Sequence, residues 1–250
     1  MNRIPQLAGQ RALQPEKDWK RGKGRERPHG DFNYCLFTPV HYEPGYAYPL
    51  VVWLHANGGH QEQLLDVMPR LSLRNYLAIA PRGLHLEVDS PGWPSRGLWT
   101  EVERRVLASI EIASRNYHVS PDHVFLAGAG EGGSAALQLG LHHPQRFAGV
   151  VSLGGGVPFG AARFATLYAA RDLPLLITHG RQAQQYGEGE ACQDLRMLHA
   201  AGMALAVRQY PDGNQLDDRL LGDVNRWIME QVTSQTIRLS DSPADGDIAC

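Results

Sequence analysis

Short apolar runs alternate with helix-type patterns through the middle of this chain. Runs of this length, bounded by Gly, Pro, Asn and Asp, are typical of β-strands. Two of them, PLVVWL and LPLLIT, are apolar at nearly every position, which indicates strands buried on both faces of a parallel sheet. The predicted strands cover residues 34–38, 50–54, 77–80, 124–127, 149–153, 175–178 and 204–209.

The segments between these runs place apolar residues three and four positions apart, which is the spacing of one helix face. The predicted helices cover residues 61–71, 100–116, 133–142, 161–169, 190–201 and 217–231. This alternation predicts an α/β fold, a doubly wound and mostly parallel sheet with helices on both faces. A ligand cleft is expected at the carboxyl ends of the strands, where open parallel sheets bind ligands.

The two ends of the chain lack these patterns. Residues 1–30 are rich in Gln, Gly, Arg and Lys, and residues 236–250 are mostly polar and acidic. We therefore expect a disordered basic arm, a single domain over residues 31–235 and a disordered tail. Contact with an anionic partner is one function for the arm, but a solvated tail is the favoured interpretation.

Composition narrows the classes of function. Of the 250 residues, 43% are hydrophobic and 20% are charged, enough for a substantial core. A net charge of -2 and a pI near 6.6 argue against a nucleic-acid partner. No apolar run approaches the roughly 18 residues of a membrane span, and the first residues contain no apolar signal segment. The predicted location is the cytoplasm.

Cysteine and histidine spacing gives no sign of a metal or cofactor. The three cysteines are far apart and include no C-x-x-C pair, so neither a disulfide framework nor a zinc site is expected. Four histidines fall at or after predicted strand ends: His55, His60, His85 and His179. Their spacing matches no zinc pattern, and structural roles are the favoured interpretation.

One strand-to-helix junction carries the main chemical signal. In HVFLAGAGEGGSAA, residues 123–136, a short strand enters a glycine cluster and a small-residue helix leaves it. This is the layout of the nucleophile elbow G-x-S-x-G, in which a tight turn exposes a serine oxygen. The central position is Gly130, which has no side chain to attack with. Ser134, one helical turn later, is interpreted as a packing or capping residue.

Three further motifs occur in the order expected for one superfamily. PLVVWLH followed by ANGG looks like the LHGxGG strand and oxyanion loop, LLITHG resembles HGxxD, and YPDGNQL resembles YPxGH. Over about residues 32–232 the chain resembles the α/β-hydrolase superfamily, in its phospholipase/carboxylesterase or polyhydroxybutyrate-depolymerase-like esterase branch. The resemblance implies a triad of nucleophile, acid and histidine, whose positions are here Gly130, Ala183 and Asn214.

The loss of the triad does not depend on how the motifs are aligned. In this superfamily the catalytic histidine follows the last strand, downstream of residue 203 here, yet the most C-terminal histidine is His199. Shifting the alignment by several residues does not supply one. Asp212, Asp217 and Asp218 flank the position, but a carboxylate is a weak base for a serine hydroxyl.

The resemblance also implies backbone donors and a pocket. The donors of an oxyanion hole would be the N–H groups of Glu131 and of Ala56 or Asn57. The Glu131 carboxylate disfavours an anionic ligand whereas the helix N-terminus favours one, and the sequence leaves this balance open. Residues predicted for the pocket rim are His55, Trp93, Trp99 and His179. The tryptophan-bearing loop, residues 81–99, serves equally well as a cover for the core.

Three functional hypotheses follow. The preferred one is a catalytically inactive, esterase-like homologue that acts as a small-molecule-binding or protein-interaction module. The alternative is a carboxylic-ester or thioester hydrolase with a non-standard or relocated set of catalytic residues. The third is a scaffold whose outer surface or basic arm recruits a partner.

Overall fold

A computed structural model describes residues 19–25, 31–87, 90–94, 97–158, 164–183, 185–213 and 215–240. Its strands are β1 Trp19–Arg25, β2 Asp31–Phe37, β3 Tyr48–Leu54, β4 Leu77–Pro81, β5 Leu84–Glu87, β6 Ser90–Gly92, β7 Val119–Ala129, β8 Gly149–Leu153, β9 Leu175–Gly180 and β10 Leu205–Tyr210. Its helices are α1 Gln63–Leu71, α2 Trp99–Asn116, α3 Glu131–His142, α4 Phe164–Ala169, α5 Glu188–Ala200 and α6 Asp218–Ser240. A single 3₁₀ turn, Pro144–Arg146, follows α3.

Eight of the strands form one sheet in the order β1-β2-β4-β3-β7-β8-β9-β10. β2 pairs antiparallel with both β1 and β4, whereas every pair from β4 to β10 is parallel. β5 and β6 form a separate antiparallel hairpin. The carboxyl ends of the parallel strands therefore meet along one edge of the sheet, which is where a cleft is expected.

Each face of the sheet carries its own hydrophobic core. Along β3 the side chains of Leu50, Val52 and Leu54 belong to one core, and those of Val51 and Trp53 belong to the other. This alternation follows from the two-residue repeat of a strand. Helices α2 to α5 cover the first core, and α1 and α6 cover the second. The predicted fold class, a doubly wound and mostly parallel α/β sheet, is confirmed.

The terminal predictions need correction. Residues 19–25, expected in a disordered arm, form strand β1, because their backbone pairs with β2 over seven positions from Trp19↔Phe37 to Arg25↔Asp31. A Lys- and Arg-rich sequence is compatible with an edge strand, where charge discourages pairing with other chains. At the other end α6 continues to Ser240, past the predicted start of the tail. Residues 1–18, 26–30 and 241–250 lie outside the described residues.

Among the described residues, no helix combines the length and the apolar character needed to cross a bilayer.

Candidate functional site

The turn between β7 and α3 has the geometry of a strand-to-helix elbow. Gly130 sits at its tip with φ 53° and ψ −125°, in the region of positive φ that side chains disfavour. Its N–H donates to the carbonyl of Leu153 at 2.9 Å, and its carbonyl accepts the Ser134 N–H at 3.1 Å. Gly130 is therefore the one residue between the end of β7 and the first turn of α3.

Three neighbouring glycines are required by close backbone packing. A Cβ on Gly132 would lie 2.2 Å from the carbonyl oxygen of Leu54, and one on Gly128 would lie 2.4 Å from the Gly132 carbonyl. A Cβ on Gly155 would lie 2.2 Å from the carbonyl oxygen of Gly130. All three distances are far below ordinary van der Waals contact, so these positions exclude any side chain.

Gly130 itself differs from these glycines. Among the residues that the structure describes, a Cβ added there would meet only the Cβ of Ala56, at 3.9 Å, which is an ordinary contact. Crowding therefore does not impose glycine at the tip of the elbow, and the space above it is open.

That space is a cavity of about 910 Å³ at the carboxyl ends of the parallel strands. A volume of this size suits a small organic ligand. The described residues that line it are Asn57, Trp93, Pro94, Trp99, Gly130, Glu131, Ser134, Gly154, Gly155, Gly156, Val157, Pro158, Gln185, Tyr186, Glu190, Gln193 and Asp194. The elbow forms part of the lining, and residues between the end of β8 and α5 form much of the rest.

Both predicted rim tryptophans line the cavity. The indole N–H of Trp93 donates to the His55 carbonyl at 2.7 Å, and its backbone N–H donates to Asn57 Oδ1 at 3.0 Å. These bonds hold Trp93 in one place, and only 3% of it is exposed. Trp99 begins α2 after two residues of positive φ, Gly97 at 67° and Leu98 at 51°.

His55 is not a rim residue, contrary to the prediction. Its side chain is fully buried, and both ring nitrogens have backbone partners. Nε2 accepts the Gly83 N–H at 2.9 Å, and Nδ1 lies 2.8 Å from the Ala56 carbonyl. An accepting Nε2 leaves Nδ1 as the donor, so the ring is the neutral Nδ1–H tautomer. Burial is the largest cause that lowers the pKa of His55, which agrees with a neutral ring. His55 fastens the loop after β3 to the β4–β5 connection.

His179 is also buried and absent from the cavity lining, so the second histidine predicted for the rim is corrected as well. It occupies the penultimate position of β9, and its ring packs edge-on against Tyr186 with centroids 5.8 Å apart. Neither ring nitrogen forms a hydrogen bond with any residue that the structure describes. Tyr186, its ring partner, does line the cavity.

The positions aligned with the acid and the histidine fall on adjacent loops. Ala183 follows β9 in a turn closed by its N–H to the Gly180 carbonyl, 3.0 Å, and does not line the cavity. This loop bonds to the one after β10 through the Arg181 N–H to the Tyr210 carbonyl, 2.9 Å. Asn214 lies outside the described residues, although its neighbour Gly213 packs against Gly180.

The predicted backbone donors flank Gly130. Glu131 begins α3, so its N–H has no acceptor within the helix. On the other side, the N–H groups of Ala56 and Asn57 donate to none of the residues described by the structure. Asn57 and Glu131 line the cavity directly, and Ala56 lies next to Gly130.

The loop before α5, which contributes Tyr186 and Glu190, was expected in the cleft from the sequence, but two other parts of the lining were missed. They are the glycine-rich loop after β8 and Asp194 of α5. The run GGG at residues 154–156, directly after a predicted strand, was the available signal for the loop. Nothing in the local sequence distinguishes Asp194 from an exposed helix residue, because its environment depends on packing against that loop.

Metal binding receives no support from the side-chain arrangement. Within the described part of the chain, no group of three or more His, Cys, Asp or Glu side chains is placed to hold a metal ion. The carboxylates of the cavity are therefore not arranged as a metal site.

Sequence comparisons connect the chain with esterases. It is 35% identical over 122 residues to "Putative esterase NocK" of Nocardia uniformis subsp. tsuyamanensis, covering 44% of this chain and 33% of that protein. It is 27% identical over 117 residues to carboxylesterase SOBER1 of Arabidopsis thaliana, covering 45% and 50%. These two matches span half or less of each relative. A search of protein-family models gave no match.

A longer match covers 71% of this chain and 82% of its relative. It is 23% identical over 205 residues to a rice protein, Os04g0669700 of Oryza sativa subsp. japonica, whose name is "Probable inactive carboxylesterase". The word "inactive" in that name refers to the rice protein.

Solved structures agree on the architecture. The crystal structure of Arabidopsis SOBER1 superposes with a TM-score of 0.61 at 21% identity, covering 74% of this chain and all of that one. A Bacillus cereus carboxylesterase gives a TM-score of 0.64 at 16% identity, covering 80% and 94%. At these identities the likeness establishes the fold, which is that of the α/β-hydrolases.

Proposed function

Because this chain has the α/β-hydrolase fold and its homologues are carboxylesterases, we propose that it is a catalytically inactive homologue whose cavity binds a small molecule. The observation that carries the proposal is the elbow. The backbone turn that presents a nucleophile is retained, and its tip is Gly130. The space that a side chain needs is present, but the side chain is absent.

A missing nucleophile has a large effect on rate. In a serine protease, loss of the triad costs about 10⁶ in kcat, and roughly 10³ to 10⁴-fold acceleration over water remains from the oxyanion hole and binding. Here Gly130 supplies no oxygen to attack an ester carbonyl. The remaining backbone donors near Ala56 and Glu131 would polarise a carbonyl without completing the reaction.

The catalytic histidine, which would act as the general base, is also missing, and this does not depend on the missing nucleophile. β10 begins at Leu205, and the chain contains no histidine after His199. Histidines from earlier in the chain do not replace it, because the described cavity lining contains none. His55 and His179, the two histidines predicted for the rim, are buried.

The cavity supports the second part of the proposal, which is small-molecule binding. A cleft that binds nothing is free to be filled by larger side chains. Instead the cavity holds about 910 Å³, with Trp93 fixed at its side by two hydrogen bonds. A retained, partly rigid pocket favours a small-molecule-binding role over an empty scaffold.

One observation favours relocated chemistry as the second candidate function. Ser134, which the sequence pattern assigns to packing, lines the cavity within one turn of Gly130. Glu131, Glu190 and Asp194 line the same cavity and are the bases available in its described lining. A carboxylate activates a serine hydroxyl poorly at neutral pH, because its pKa is far below that of the alcohol.

A turnover screen distinguishes these two functions. We expect the purified native chain to hydrolyse short p-nitrophenyl esters and acyl thioesters no faster than buffer containing an equal concentration of an unrelated protein. The matched variant is Ser134→Ala, which removes only the cavity hydroxyl. Native turnover that disappears in Ser134→Ala would contradict the proposal and support relocated chemistry.

A further inference from the structure

The cavity has an uneven charge distribution. Three carboxylates line it: Glu131 from the first turn of α3, and Glu190 and Asp194 from α5. Glu190 and Asp194 are four residues apart, so they lie on the same face of that helix. The described lining contains no Lys, Arg or His. None of the three carboxylates forms an ion pair within the described chain.

Asp194 is held in a fixed position. Its Oδ2 accepts the Val157 N–H at 2.8 Å and the Tyr186 hydroxyl at 3.0 Å. Its Oδ1 accepts no hydrogen bond from the residues that the structure describes. Burial raises the pKa of Asp194, and the two hydrogen bonds to Oδ2 oppose that shift. The second oxygen of this half-buried carboxylate is therefore available to a ligand in the cavity.

Aromatic side chains complete the environment. Trp93, Trp99 and Tyr186 all line the cavity, and Tyr186 is fixed through its hydroxyl bond to Asp194. Aromatic faces attract cations through their ring quadrupole, most strongly where water is excluded. Carboxylates and aromatic rings in the same pocket therefore favour the same class of ligand.

The opposing field is smaller. The N-termini of α3 and α5 each contribute the equivalent of about half a positive charge, near Glu131 and Glu190 respectively. Three carboxylates outweigh these charges, and Glu131 and Glu190 alone would still do so if Asp194 were protonated. The lining is therefore net negative, so the cavity disfavours an anionic ligand, a question that the sequence leaves open.

We propose that the cavity binds a small organic ammonium compound, an amine that carries an apolar or aromatic group. This inference rests on the proposed function, since it names the ligand class of the same cavity. A divalent metal ion is the wrong cation, because the carboxylates are not grouped as ligands of one ion. A ligand whose ammonium group lies near Asp194 Oδ1 and whose apolar part packs against the tryptophans matches both the carboxylates and the aromatic rings of the lining.

A pair of probes tests the charge alone. The cation 2-phenylethylammonium and the neutral 2-phenylethanol have the same number of non-hydrogen atoms and nearly the same shape. Binding of each to the full chain is measured by calorimetry or ligand-observed NMR at pH 7. We expect the cation to bind about tenfold more tightly, the difference between a charged and a neutral hydrogen bond.

Substitutions locate the effect in the cavity. Asp194→Asn keeps an oxygen that accepts from Val157 and Tyr186, and we expect it to remove most of the preference for the cation. Glu131→Gln is the second variant, since no hydrogen bond of the described structure depends on that carboxylate. Glu230→Gln on the exposed side of α6 makes the same change in net charge outside the cavity, and it should keep the preference.

The outcomes separate this inference from the proposed function. Equal binding of the two probes, failure of the cation to bind at millimolar concentration, or a preference unchanged in both cavity variants would overturn it. Hydrolysis of p-nitrophenyl acetate by the same protein samples would instead contradict the proposed inactivity, whatever the two affinities are.

Discussion

The combined change Gly130→Ser, Ala183→Asp and Asn214→His should produce an esterase, with p-nitrophenyl ester hydrolysis about 10² to 10⁴ times faster than that of the native chain. This range is what a positioned general base typically contributes. The triad works as a unit, so Gly130→Ser alone should stay within a few-fold of native. Steady-state absorbance assays on the single and triple variants measure the difference.

The structure supports this design at two points. A Cβ at position 130 has only the Ala56 Cβ nearby, at 3.9 Å, so the serine side chain has room. The loops after β9 and β10, which would carry the new acid and histidine, are joined by the Gln182 N–H to the Asp212 carbonyl at 3.3 Å. Positive φ at residue 130 costs an L-residue about 1 to 3 kcal/mol, which a folded domain tolerates.

The control for this experiment replaces serine with alanine at the same position. The variant with Gly130→Ala, Ala183→Asp and Asn214→His has the new acid and base but no nucleophile, so its rate should return to the native level. A folded serine triple variant without activity would show that the cavity no longer positions an ester, and it would count against direct descent of this cavity from an esterase site.

Gly132→Ala should destabilise the domain by at least about 3 kcal/mol, the upper range of overpacking. The added Cβ would lie 2.2 Å from the Leu54 carbonyl oxygen and 2.4 Å from that of His55. Both oxygens belong to the backbone at the end of β3, which must move to accept it. Urea unfolding followed by circular dichroism gives the free energy of unfolding of each protein.

Gly130→Ala is the matched comparison, two residues away on the same turn. Its Cβ has open space among the described residues, so only the positive φ opposes it, at a cost of about 1 to 3 kcal/mol. We expect the variant to fold and to lose clearly less stability than Gly132→Ala. Equal losses would mean that the elbow is not packed as described.

The sheet and most helices were predictable from the sequence, since continuous apolar runs such as PLVVWL have few alternatives to buried parallel strands. β1 was not, because its Lys, Arg and Gly residues have no apolar repeat and its strand conformation comes from pairing with β2. The β5–β6 hairpin was missed for a similar reason, since its short strands lie in a loop with several Pro and Gly residues.

The candidate site was predictable in part. The elbow glycines and the loop with Ala56 and Asn57 have a recognisable spacing in the chain, and the rim tryptophans lie in a loop of suitable composition. The contact between the loop after β8 and α5 was not predictable, because it joins residues distant in sequence, as when the Val157 N–H donates to Asp194. His55 was misplaced because a histidine after a strand end looks like a pocket residue until its partners, Gly83 and Ala56, are known.

Inactivity is tested most directly by a covalent probe that needs an activated serine rather than any particular substrate. The native chain and the serine triple variant are incubated with a fluorophosphonate, and their intact masses are measured. We predict no adduct on the native chain and one on the triple variant, located at residue 130. A stoichiometric adduct on native Ser134, or on any other serine of the cavity, would contradict the proposed inactivity.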